Sequence, residues 1–96
     1  MKNVTLTAII KAWPEHTETL KDALTQLVKG SLAEAACLQY DMYQAAYEPN
    51  LFIFHEIWES EAALEQHNNA PHVQQFIETS APLLLEPVTI YSTNKL

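Results

Sequence analysis

The chain has 96 residues, 48% of them hydrophobic, and a formal net charge of -7. That length accommodates one domain, residues 1-96, around one modest core, because chains divide into separate cores only well above it. Five lysines, no arginine and twelve acidic residues exclude a phosphate-backbone binder, whose affinity comes from clustered cations, so no nucleic-acid partner is expected.

Val4, Leu6, Ala8 and Ile10 alternate with Thr5, Thr7, Ile9 and Lys11, the period of a first strand that Trp13-Pro14 ends. From Glu15 the period lengthens. Leu20, Leu24, Leu27, Val28 and Ala35 recur at helical spacing, with Glu18, Lys21, Asp22 and Lys29 on the other side and Gly30 as a weak point or early end. Leu38, Tyr40 and Met42 alternate with Gln39, Asp41 and Tyr43 in a second strand, and Glu48-Pro49-Asn50 turns the chain into a third, Leu51 to Trp58. Ser60 supplies an N-cap oxygen for a short helix to Asn68, with Glu61 near the positive end of its dipole. Pro71 suits the first turn of another helix through Val73, Phe76 and Ile77, which Pro82 limits, and Pro87 precedes a last strand, Val88 to Ser92. This order predicts an α+β, ferredoxin-like split βαβ fold with a four-stranded antiparallel sheet and helices on one face.

The third strand adds a constraint. Its faces, Leu51/Ile53/His55/Ile57 and Phe52/Phe54/Glu56/Trp58, are both mainly apolar, yet helices cover only one side of such a sheet. A homodimer packing sheet on sheet is the economical way to cover the other. No apolar run approaches the roughly 20 residues that span a bilayer. Thr5, Thr7 and Lys11 interrupt any signal-peptide core, and the lone Cys37 has no internal disulfide partner. A cytoplasmic protein with no membrane partner is expected, with Cys37 as a small buried filler.

The blocks Ser31-Leu32-Ala33-Glu34-Ala35-Ala36-Cys37-Leu38-Gln39-Tyr40, Glu56-x-Trp58-x-Ser60 and His67 with Pro71-His72 make nearly the whole chain resemble the antibiotic biosynthesis monooxygenase superfamily. That resemblance implies a dimeric α+β barrel with one pocket per subunit, between sheet and helices. Members usually carry Pro-Gly where this chain has Ala35-Ala36, so the first helix lacks the glycine on which a left-handed cap is built. The fold is shared by cofactor-free quinol oxygenases, haem-degrading proteins and an isomerase of a quorum-signal sugar phosphate. The iron-binding histidine of the haem-degrading branch would fall near Ile77, which disfavours haem.

Oxygenation without a cofactor requires that an electron-rich substrate lose a proton, so that its anion can pass an electron to dioxygen in a water-poor pocket. His67, three residues after Leu64 and so in the inward-facing sector of its helix, is the candidate base. Glu56, costly to bury alone, needs a partner: a hydrogen bond to His67 is the functional arrangement, pairing with a lysine or a backbone amide the structural one. Trp58, Phe54 and Tyr40, with His72 and Phe76, are the expected lining of a small-molecule pocket, the Trp and Tyr donors serving a developing oxyanion. His55, on the opposite strand face, is expected at the dimer contact, and His16 in solvent.

No metal is expected, because histidines five apart do not share a helix face and no zinc spacing or cysteine pair is present. No cofactor is expected either. The resulting reading is a cofactor-independent monooxygenase of a quinol or related electron-rich aromatic. The alternatives are a small-molecule isomerase using the same histidine as a proton shuttle, and a non-catalytic ligand-binding module. An isomerase of phosphorylated sugars would want cations around its pocket, and five lysines offer few.

Overall fold

The computed structural model describes residues 2–96. Its elements are β1 (Val4–Lys11), α1 (Thr17–Leu32), β2 (Cys37–Gln44), β3 (Leu51–Trp58), α2 (Glu61–Asn68), α3 (Pro71–Ser80) and β4 (Thr89–Thr93), with 3-10 turns at Pro14–His16 and Ala81–Leu83. The sheet runs β2-β3-β1-β4 with every neighbouring pair antiparallel, the split βαβ arrangement. Among the described residues no helix is long and apolar enough to cross a membrane.

Alternation decides what each strand buries. Val4, Leu6, Ala8 and Ile10 of β1 and Phe52, Phe54, Glu56 and Trp58 of β3 turn toward the helices, where Leu20, Leu24 and Leu27 of α1 and Val73 of α3 meet them. The opposite face keeps Thr7, Ile9, Ile53 and Ile57 only half covered and leaves His55, Tyr43 and Tyr91 exposed. His55 stands opposite Thr7 in register, their Nδ1 and Oγ1 atoms 3.3 Å apart.

Helix ends follow local chemistry. Ser60 Oγ accepts from Ala63 N–H at 3.1 Å and caps α2, and Pro71 opens α3 in the position where its missing N–H costs nothing. Several expectations are corrected. The first helix starts at Thr17, after a turn begun by Pro14, and runs through Gly30 to Leu32, leaving Ala35 beyond its end. Gly30 is there for space: a Cβ on it would lie 2.7 Å from the Cδ2 atom of His72. With no positive φ at any non-glycine residue among the described residues, the helix ends through right-handed Ala33, whose N–H donates to Lys29 O. A register shift between Cys37 and Gln39 takes Leu38 out of the alternation and leaves it 53% exposed. The last strand lies one residue later than the alternation from Val88 suggests.

Candidate functional site

Between the sheet and the broken helix pair lies a cavity of about 360 Å³. Leu6, Ala8 and Phe54 form its floor, Leu64, Val73 and Phe76 its helical wall, and Ile90 of β4 an edge. Tyr40, Glu56 and His67 bring polar atoms to this apolar space, the usual composition of a small-molecule site.

His67 sits in the last turn of α2, and its side chain is only 5% exposed. Its Nδ1 lies 2.6 Å from Oε2 of Glu34. A carboxylate can only accept, so Nδ1 carries the hydrogen, and in the neutral ring Nε2, which makes no hydrogen bond among the described residues, presents its lone pair. Trp58 packs against the ring at 4.3 Å between centroids, and Tyr40 lies 5.8 Å away.

Glu34 is held by the turn that follows α1. Its N–H donates to Ser31 O, its own carbonyl accepts from Cys37 N–H, and Glu59 N–H donates to Ala36 O, tying this turn to the end of β3. Sequence reasoning missed Glu34 as the partner, because 33 residues separate it from His67 and no periodicity connects a post-helix turn to another helix. The available signal was its place in the block that resembles the family.

Glu56 has neither of its expected partners. Its Oε1 accepts from the indole N–H of Trp58 at 2.9 Å, because side chains two apart on β3 share a face. Burial pushes the Glu56 carboxyl above its ordinary range, against the lowering effects of the indole hydrogen bond and of His67. Above the ordinary value of 4.5 the folded state keeps a proton that the unfolded chain has released, so this group makes stability fall as pH rises through that window. Glu56→Gln keeps an acceptor for Trp58 without the buried charge. It is expected to raise the melting temperature at neutral pH, with the gain shrinking as pH drops below the ordinary carboxylate value. Calorimetric melting across pH checks this, and an unchanged or lowered neutral-pH melting temperature would contradict it.

Other expectations shift as well. Phe54, Tyr40 and Phe76 line the cavity, but Trp58 is fully buried behind it and has its one donor committed to Glu56. Burial, and then the Glu56 carboxylate, push the Tyr40 phenol far above its ordinary value, so Tyr40 stays protonated and is the donor left for an oxyanion. His72 lines a separate groove between α1 and α3. The spacing argument that kept His67 and His72 apart also fails: the chain breaks between Asn68 and Pro71, so each ring belongs to its own helix and their centroids come to 5.9 Å. The Cys37 thiol is pushed up by burial and by Glu34, which suits a filler rather than a nucleophile.

The sequence profile of the antibiotic biosynthesis monooxygenase family matches residues 3–79. The chain is similar to the protein named "Putative monooxygenase YcnE" from Bacillus subtilis (strain 168), with 36% identity over 90 residues that span 94% of this chain and 95% of that one. It is similar to "Putative monooxygenase Rv0793" from Mycobacterium tuberculosis, with 30% identity over 80% of this chain and 75% of that protein. Among solved structures, PA3566 from Pseudomonas aeruginosa superposes with a TM-score of 0.93 at 41% identity, covering 100% of this chain and 96% of that chain.

Proposed function

Since this chain belongs to the antibiotic biosynthesis monooxygenase family, we propose that it oxygenates a quinol or a related small electron-rich aromatic, using its own side chains as the only catalytic groups. The observation that carries this reading is the Glu34–His67 pair at the wall of an apolar cavity, with Nδ1 held at 2.6 Å and Nε2 free to take a proton. Fold membership alone would not select this activity.

The chemistry balances without an added reductant. His67 Nε2 takes a hydroxyl proton from the quinol, and Glu34 stabilises the imidazolium that forms. The aryloxide gives one electron to dioxygen, and the radical pair joins as a hydroperoxide at a neighbouring ring carbon. Loss of water from that carbon leaves a carbonyl, so one oxygen atom enters the product and the other leaves as water. For a benzene-1,4-diol the products are a hydroxyquinone and water. Tyr40, a neutral donor beside the cavity, stabilises the oxyanion as it develops.

Apolar walls favour a planar ring and disfavour a phosphorylated sugar, since no lysine lines the cavity among the described residues. Oxygen uptake with a panel of dihydroxyarenes tests the reading against an isomerase, which consumes no oxygen, and against a binding module, which turns nothing over.

The reading includes a homodimer. Thr7, Ile9, Ile53, His55 and Ile57 form a contiguous outer face on the two central strands, flanked by Tyr43 and Tyr91. Two such faces packed together by a two-fold axis would complete a barrel and shield the aromatic side chains. Sedimentation at micromolar concentration is expected to give a two-chain species. A single species of one 10.9 kDa chain would contradict it.

A further inference from the structure

We propose that Glu34, His67 and His72 form a binding site for one divalent transition-metal ion of the zinc or cobalt kind, and that this ion, when bound, switches off the base of the proposed oxygenation. One ligand atom from each residue lies within 4.8 Å of the others. Oε2 of Glu34 is the hub: His67 Nδ1 approaches it at 2.6 Å and His72 Nε2 at 3.4 Å. Two imidazoles and a carboxylate are a familiar three-ligand set for zinc, with a further position left for water.

The cluster is built rather than incidental. His72 Nε2 is sealed from solvent yet makes no hydrogen bond among the described residues, since at 3.4 Å from Glu34 it lacks hydrogen-bond geometry. A buried ring nitrogen left without a partner is a cost that a metal ion would remove. Gly30 supplies the room, since any Cβ there would strike the His72 ring at 2.7 Å. The three residues come from the turn after α1, the end of α2 and the start of α3, so no single helix has to present them all. Ligands held tetrahedrally at about 2.0–2.2 Å from one ion lie roughly 3.4 Å apart, so His72 already has that spacing from Glu34, while the 2.6 Å contact between Glu34 and His67 must open through small side-chain rotations.

The consequence for catalysis follows from valence and rests on the reading of His67 as base. Ligation through Nδ1 needs the lone pair of that nitrogen, so the single hydrogen of the neutral ring moves to Nε2 and the lone pair that would take the substrate proton is gone. Glu34 is simultaneously taken from its orienting role.

The test is calorimetric titration of the intact protein with zinc chloride, together with the visible spectrum of its cobalt(II) complex. One equivalent should bind, and cobalt should give the intense visible bands of a nitrogen- and oxygen-ligated ion below six-coordination. His72→Ala and the near-isosteric Glu34→Gln should each weaken zinc by at least about tenfold, with circular dichroism showing that both variants remain folded. His16→Ala, a histidine outside the cluster, should bind like the parent. No saturable binding below about 100 μM zinc, or binding unchanged in both cluster variants, would overturn the site. Because calorimetry needs no turnover, the site stands or falls independently of the oxygenase reading. Where turnover is found, zinc at saturation should suppress it in the parent, and undiminished turnover would overturn the switch.

Discussion

His67→Ala is expected to reduce turnover of a dihydroxyarene by a factor of about 10² to 10⁴, the usual contribution of a positioned general base, while leaving the fold in place. The imidazole is buried, but it sits at the cavity wall against Trp58 and Tyr40 rather than in the Leu20–Leu24–Phe52 interior. Its removal enlarges an existing space more than it opens a new one. Glu34→Gln is expected to lose less, because an amide still holds Nδ1 but adds no charge to stabilise the imidazolium. Steady-state rates of oxygen uptake for the parent and both variants check the order. A folded His67→Ala protein as fast as the parent would remove the base from this site.

Trp58→Ala is expected to have the largest effect on stability. Trp58 is fully buried at the end of β3, edge-on to Tyr40 at 6.2 Å, packed on His67 at 4.3 Å and donating to Glu56 at 2.9 Å. Truncating a buried tryptophan costs about 3–5 kcal/mol, against a total stability of about 5–15 kcal/mol for a typical domain. The loss is compounded because the Glu56 carboxylate would keep its burial and lose the indole donor at 2.9 Å. Urea unfolding measures it, and a loss below about 1 kcal/mol would show that the indole is not the keystone of this wall. Trp58→Phe restores most of the volume but not the donor, which separates the packing loss from the hydrogen-bond loss.

What sequence could reveal was local. The alternation in β1 and β3, the Ser60 cap and Pro71 at the start of α3 are each decided within a few residues, by side-chain direction or a missing N–H. The errors arose where distant segments meet. Gly30 reads as a helix breaker until His72 is seen lying against it. Glu56 looks like the partner of His67 because both face inward, but Trp58 on the same strand face reaches it first. Glu34 follows the apolar helix in a turn whose orientation is set by hydrogen bonds to Ser31 and Cys37 and by the link from Glu59 to Ala36. The spacing argument against His67 and His72 fails for a local reason instead: it applies one-helix geometry across the break that Pro71 marks, and that break at Asn69 and Ala70 redirects the second ring.

The most direct measurement follows isotopic oxygen through a single turnover assay. Chelator-treated protein, free of added reductant, flavin and metal, is incubated with ¹⁸O-labelled dioxygen and the dihydroxyarene it consumes fastest. The expected result is one labelled oxygen atom in each hydroxyquinone and one in water, with uptake abolished or nearly so in His67→Ala. Uptake that appears only after a metal or reduced flavin is added, or product formed at equal rates by parent and His67→Ala, would contradict it.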